Sequence, residues 1–294
     1  MTRLTADDFD PEVLKLFDGY VHGQLSRRDF LSRAGRYAVG GATAATLLAQ
    51  LSPSFAAPLV VPADARLKTS YQEYPSPQGY GKLRGYLAMP AEAKGKLPAV
   101  LVVHENRGLN PHIEDVTRRL ALEGFIAFAP DALFPLGGYP GDEDKARALF
   151  PKLDQAKTRA DFVAAFEMLS KLPQATGKVG VVGFCWGGGM ANYLATQLPA
   201  LAAAVPFYGA QPAAADVARI KAPLLIHHAA KDERILAGWP AYEAALKANN
   251  IAYQHFVYAG AEHGFNNDTT PRYDEAAARL AWSRTVAFFK DKLA

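Results

Sequence analysis

The sequence predicts an α/β fold over residues 58–294, a mostly parallel central sheet flanked by helices on both faces. Three observations carry this. From Pro58 onward, short and continuously apolar runs alternate with segments of helical spacing, as strands covered on both faces do when helices connect them. One such run, Val179 to Gly183, passes directly into a glycine-rich turn that holds the only cysteine, Gly183-Phe184-Cys185-Trp186-Gly187-Gly188-Gly189. Finally, the residues with chemistry to offer follow the ends of predicted strands, where open α/β sheets place their ligands. Composition agrees: 294 residues, half of them apolar and 21% charged, suffice for one large core. A net charge of +3 without a lysine or arginine run gives no footprint for a nucleic-acid partner.

Residues 1–57 differ from the rest. Ser26-Arg27-Arg28-Asp29-Phe30-Leu31 is a twin-arginine pattern, followed by the weakly apolar tract Ala38 to Ala49 and by the small residues Ser54-Phe55-Ala56-Ala57. The expectation is a Tat-type export signal outside the folded domain, with the Tat machinery as its partner and the periplasm or exterior as destination. The tract is short for a membrane span, and an uncleaved anchor is the alternative. In an oxidising compartment a single cysteine has no internal disulfide to make, so its retention invites a reactive role.

The domain then reads in order. Lys68 to Tyr74 and Leu83 to Met89 form a hairpin, with Pro75-Ser76-Pro77-Gln78-Gly79 as its turn. Pro98 to His104 is a buried strand, and Ile113 to Glu123 is a helix with apolar residues at Ile113, Val116, Leu120 and Ala121. A strand at Phe125 to Ala129 and helices near Asp142 to Phe150 and Ala160 to Leu172 precede the cysteine strand. After it come a helix at Met190 to Gln197, strands at Ala202 to Phe207 and Pro223 to His228, and a helix at Trp239 to Ala248. A strand at Tyr253 to Tyr258 and a helix at Asp274 to Lys290 close the chain.

The turn at Cys185 reads as a nucleophile elbow with sulfur in place of oxygen. Gly183 and Gly187, two residues either side, let strand and helix pass closely. The following helix aims its N-terminus at Cys185, where free amides and the dipole favour a thiolate or a developing oxyanion. A thiol nucleophile needs a base and something to orient it. After the strand ending at His228 stands Lys231-Asp232-Glu233, and after that ending at Tyr258 stands Glu262-His263-Gly264-Phe265. Nucleophile, acid and histidine in this chain order assign Cys185, Asp232 and His263 to a triad, with Glu233 as a competitor for the orienting role.

These motifs, together with His104-Glu105-Asn106-Arg107-Gly108-Leu109-Asn110, resemble the dienelactone hydrolase (carboxymethylenebutenolidase-like) family, a cysteine branch of the α/β-hydrolase fold, over roughly residues 70 to 292. The resemblance implies that Glu105 accepts the cysteine proton when substrate rearranges the site. A thiol kept neutral until then is protected from oxidation. It also implies hydrolysis of a small-molecule ester or lactone through an acyl-thioester, with the backbone N–H groups of Asn106 and Trp186 as oxyanion donors.

One departure bears on substrate. The family's carboxylate-gripping arginines are missing from Pro130-Asp131-Ala132-Leu133-Phe134-Pro135 and from His263-Gly264-Phe265-Asn266-Asn267, which puts dienelactone itself in doubt but not ester chemistry. Phe134, Tyr208, Phe265 and Asn267 are candidate substrate-binding residues. His104, His112, His227 and His228 show no metal-ligand spacing, so neither metal nor cofactor is expected. Two alternatives stay open: a general carboxylesterase or thioesterase, and a redox-sensing or ligand-binding protein that uses Cys185 without turnover. Sequence leaves the oligomeric state open, a monomer included.

Overall fold

The computed structural model describes residues 3–38 and 42–294. Val39, Gly40 and Gly41, part of the tract assigned to an export signal, lie outside the described residues. The chain begins with three helices, α1 (Pro11–Val21), α2 (Arg27–Ala34) and α3 (Ala44–Leu51). Asp10 caps α1 by accepting from the Glu12 N–H, with Pro11 at the first helical position. Ser26 and Asp29 form a capping box on α2. Phe9, Val13, Phe17, Tyr20, Phe30 and Leu51 bury one another in a small core of their own.

An antiparallel hairpin, β1 (Leu67–Ser76) and β2 (Gly81–Pro90), opens the domain. Strand β3 (Leu97–Val103), helix α4 (Pro111–Leu122) and strand β4 (Ile126–Pro130) follow. Two helices come next, α5 (Glu143–Leu149) and α6 (Gln155–Ser170), and then β5 (Ala175–Phe184), α7 (Trp186–Gln197) and β6 (Ala203–Phe207). The chain closes with β7 (Leu224–Ala229), α8 (Glu233–Leu236), α9 (Trp239–Ala248), β8 (Tyr253–Tyr258) and α10 (Glu275–Lys292).

The eight strands form one sheet in the order β1-β2-β4-β3-β5-β6-β7-β8. The last six in this order run parallel, while β2 meets β4 antiparallel. This is the α/β-hydrolase architecture expected from the sequence. Its core lies on both faces because strand side chains alternate. Leu101, Val103 and Val181 point to one side with residues of α6 and α7, and Val100, Val102 and Val182 to the other with residues of α4 and α10.

The geometry of parallel strands fixes where function goes. The loops after β3, β5, β6, β7 and β8 all open at the same end of the sheet, and they carry Glu105, Cys185, Tyr208, Asp232 and His263 respectively. Residues 3–38 pack on that same end, although the sequence reading placed them outside the domain. Arg3 donates to the carbonyls of Asp268 (2.6 Å) and Thr270 (3.1 Å). Arg27, the first of the twin arginines, pairs with Asp144, and Phe30 is fully buried. Among the described residues, no helix is long and apolar enough to cross a membrane.

Candidate active site

Cys185 sits at φ +55°, ψ −114°, between the end of β5 and the first turn of α7, and its N–H donates to the Phe207 carbonyl across to β6. Holding a non-glycine residue there requires that its neighbours leave room. A Cβ on Gly183 would lie 1.9 Å from the Gly187 carbonyl oxygen, and one on Gly187 2.3 Å from that of Val103. The elbow is therefore dictated by backbone packed on backbone. Helix α7 begins at Trp186, four residues before the predicted start at Met190, so its orphan amides lie directly beside the sulfur.

Asp232 and His263 meet as the sequence predicted. His263 Nδ1–H donates to Asp232 Oδ2 at 2.5 Å, while Asp232 Oδ1 caps α8 by accepting from the Ile235 N–H. Both residues are buried. With Nδ1 so occupied, Nε2, which has no hydrogen-bond partner among the described residues, is the nitrogen left for the thiol. Glu233, the competitor, is the first residue of α8 and pairs with no histidine among the described residues.

The loop after β3 is set by His104. Its ring stacks on Trp186 (centroids 5.4 Å apart, 13° between planes), Nδ1–H donates to the Glu105 carbonyl, and Nε2 accepts from the Ala132 N–H. Burial lowers its pKa to about 4, so it stays neutral and both nitrogens remain satisfied. Asn106 and Trp186 keep backbone N–H groups that no backbone carbonyl takes among the described residues. Arg107 Nη1 donates to the Asn106 carbonyl and to Asn106 Oδ1, and Arg107 Nε faces Glu143 at 3.5 Å. This buried guanidinium braces the loop that carries the Asn106 amide.

Other expected residues fall differently. Glu105 Oε2 accepts from Asn267 Nδ2 at 2.9 Å, and the sulfur's own polar contact is with His22, not with Glu105. Tyr208, at φ +36°, is deeply buried but borders the cavity at Cys185, as expected, and its hydroxyl has no hydrogen-bond partner among the described residues. Phe265 packs in the core against Tyr208 and Tyr258, and Phe134 lies under Arg84. Neither phenylalanine lines the cavity at Cys185. That cavity, of about 640 Å³, is walled by Trp186, Phe150, Arg107, Arg147, Arg234 and His22 among others.

His22, the last of these, was not anticipated from sequence. Its Nε2 lies 3.5 Å from Cys185 Sγ, and its Nδ1–H donates to the Asp18 carbonyl (2.8 Å) and faces Asp18 Oδ1 at 3.2 Å. The signal was present, since Val13, Leu14, Phe17 and Tyr20 follow the Asp10-Pro11 start at helical spacing.

The sulfur thus has a histidine on either side. Burial pushes the Cys185 thiol up, but the positive charge of His263 and the hydrogen bond with His22 outweigh it and lower the pKa to about 6. His263 moves the other way: burial draws it down, while the charges of Cys185 and Asp232 raise it to about 10. One ring nitrogen of each histidine and Sγ lie within 4.8 Å of one another, a donor set that in kind suits a soft divalent metal. However, Arg234 Nη2 stands 3.1 Å from His22 Nε2, placing a fixed positive charge where a metal's charge would go. The arrangement suits an anionic sulfur between two imidazoles.

An elbow at the C-terminal end of a parallel strand, with an Asp–His pair beside it, defines an α/β-hydrolase. Comparison with known proteins gives the particular branch. Residues 83–293 match the model of the dienelactone hydrolase family, and residues 1–39 match a second one, described as YqhI-like. A stretch covering 38% of the chain is 54% identical to 97% of YghX, provisionally named a hydrolase fragment, from Escherichia coli K12. Across 80% of the chain, identity is 32% to a protein of the same organism provisionally named carboxymethylenebutenolidase, 91% of which is covered. The crystal structure of a provisionally named dienelactone hydrolase from Klebsiella pneumoniae superposes with a TM-score of 0.67 at 30% identity, covering 76% of this chain and 99% of that one. The chain belongs to the dienelactone hydrolase family and is a hydrolase of the class that acts on ester or lactone bonds.

Proposed function

We propose that the chain hydrolyses small ester or lactone substrates through an acyl-thioester on Cys185, with His263 as acid and base and Asp232 as its orienting carboxylate. The observation that carries this reading is the Asp232–His263 pair at 2.5 Å beside a cysteine held at positive φ on an open cavity. The thiol proton passes to His263 and the sulfur attacks the carbonyl carbon, so that a C–S bond forms. The amides of Asn106 and Trp186 receive the oxyanion. When the C–O bond breaks, the leaving alkoxide takes the proton from His263. A water then gives a proton to His263 as its oxygen attacks the thioester; the C–S bond breaks, the departing sulfur takes that proton from His263, and the acid leaves.

The cavity favours substrates whose acid portion carries an anionic group. Arg147 and Arg234 line it from α5 and α8, elements other than those where the family's arginines are missing. Glu105 lines the narrower recess beside Cys185 and His263, which supports a part for its carboxylate in the thiol's proton balance. The order of twin arginine, apolar tract and small residues supports export, and fractionation of cells that produce the full chain tests it.

The deciding experiment is hydrolysis of p-nitrophenyl acetate and a panel of enol-lactones and thioesters by the full chain and by Cys185→Ala. Turnover that disappears with the sulfur is the expected result, and the preferred panel member separates lactonase from general esterase or thioesterase. A folded wild-type protein that turns over nothing, while its sulfur is readily oxidised to a sulfenic acid, would replace this reading with the sensor alternative.

A further inference from the structure

The N-terminal segment packs directly on the active site. Helix α1 ends where Gly23, at φ +77°, turns the chain, and the Gln24 N–H returns to the Gly19 carbonyl. Its last carbonyls have no partner within the helix. Site residues supply donors: Asn106 Nδ2 (2.9 Å) and Arg107 Nη2 (3.2 Å) donate to the Val21 carbonyl. These two residues also form the loop that carries the oxyanion amide. Arg272 meets Asp18 at 3.3 Å, and Arg147 lies over the Tyr20 ring at 4.0 Å. The cap residue of α1, His22, is thereby delivered to the sulfur, and Asp18 one turn back orients it much as Asp232 orients His263.

We infer that His22, held by Asp18, is a second base on Cys185, making residues 3–38 part of the catalytic machinery. This rests on Cys185 being the nucleophile and deepens that reading. The Cys185 S–H bond breaks and its proton goes to His22 Nε2, leaving a thiolate beside an imidazolium. His263 then begins the cycle protonated. The thiolate attacks, the C–S bond forms and the C–O bond breaks, and the alkoxide leaves with the His263 proton. Water returns a proton to His263 as its oxygen bonds to the thioester carbon, and sulfur departs as thiolate, still paired with His22. One ester and one water become one acid and one alcohol, with His22 charged throughout.

The groups facing His22 set its proton affinity. Asp18 on its own helix draws the proton in, as does the sulfur. Arg234 from α8 opposes: its Nη2 lies 3.1 Å from the same Nε2, and a proton arriving there drives it towards Asp18 Oδ2, already 4.0 Å from its Nε. His263, its ring 4.7 Å away, and Arg272 add positive charge from the loop before α10. Arg107 does so from the loop after β3, and Glu105, Glu143 and Asp144 answer with negative charge around the same recess. Burial alone would lower the imidazole's affinity, yet with Asp18 and the sulfur included the net shift is upward.

The test is the pH dependence of Cys185 alkylation by iodoacetamide in full-length wild type, His22→Gln and Asp18→Asn, beside kcat/KM for the best ester. Losing His22 should raise the alkylation midpoint by about one pH unit and lower kcat/KM about tenfold, with Asp18→Asn moving both the same way by less. Thermal melting confirms folding; should His22→Gln not fold, Asp18→Asn, which keeps side-chain size and a carbonyl acceptor, supplies the readout. An unmoved midpoint in a folded variant overturns the proposal. If Cys185→Ala still turns over substrate, the nucleophile reading itself has failed. If Cys185→Ala is inactive while His22→Gln alkylates like wild type, only the role of His22 has.

Discussion

Gly183→Ala would place a methyl carbon 1.9 Å from the Gly187 carbonyl oxygen and 2.3 Å from its carbon, where nothing closer than 3.0 Å is tolerated. The obstacle is backbone on both sides: Gly183 pairs with Val103 of β3 and Pro206 of β6, and Gly187 lies buried in the first turn of α7. Relief requires β5 and α7 to separate by about 1 Å, which forcing extra bulk into close-packed backbone makes costly, about 3 kcal/mol. For a chain of this size that lowers Tm by about 6–12 °C. Because the elbow carries the sulfur, a 1 Å shift also removes about 10²-fold from kcat/KM in whatever remains folded. Gly189→Ala, six residues on, is the internal control. Its Cβ meets nothing nearer than Ala210 at 3.6 Å, so replacing a helical glycine should stabilise by about 0.8–1 kcal/mol with turnover unchanged. Thermal melts and initial rates on p-nitrophenyl acetate decide. Equal melting of Gly183→Ala and wild type, with full turnover, would refute the account of the elbow.

Other outcomes follow from the same geometry. The pH–rate profile of kcat/KM should climb as Cys185 deprotonates near pH 6, since below it the sulfur is a thiol, and fall near pH 10, where His263 loses the proton the leaving group needs; an acid limb in the ordinary thiol range would contradict the electrostatics. Asp232→Asn should keep the fold but lower kcat by about 10³–10⁴-fold, because the carboxamide no longer fixes the imidazole tautomer, as rates across the pH range would show. Arg107→Lys removes the fork that braces Asn106 and meets Val21, and kcat should fall about tenfold with KM little changed, measured on the same ester.

The sheet was legible because its strands are buried on both faces and so read as unbroken apolar runs, from Ala99-Val100-Leu101-Val102-Val103 to Leu224-Leu225-Ile226. Once strands and connecting helices alternate, the parallel order puts Cys185, Asp232 and His263 at one end of the sheet, and the sequence reading needed no distance to bring them together. Helix starts were less legible. Gly187, Gly188 and Gly189 argue against a helix by propensity, yet α7 begins at Trp186, because only glycine fits where the Val103 and Phe207 carbonyls pass. Helix α6 starts at Gln155, five residues before the expected Ala160, because Asp154 caps it through the Ala156 and Lys157 amides. Phe134 and Phe265 show what side-chain type alone leaves open: aromatic residues near a site pack in the core as readily as they line a cavity.

Residues 1–57 carry two readings for a physical reason. A twin-arginine motif, an apolar tract and small residues stand in the order of an export signal, and the same stretch also supplies caps and apolar spacing for helices. Ser26 and Asp29 close a capping box around the arginines, Phe30 is buried, and Arg27 reaches Asp144 on α5. The packing of this segment on the domain is what puts His22 on the sulfur and lets Asn106 and Arg107 donate to the Val21 carbonyl. An enzyme that uses His22 works only with its first helices in place, so cleavage near residue 57 would separate the nucleophile from its second base. Activity and retention of the segment are then one property of the chain, and the alkylation profile reads both.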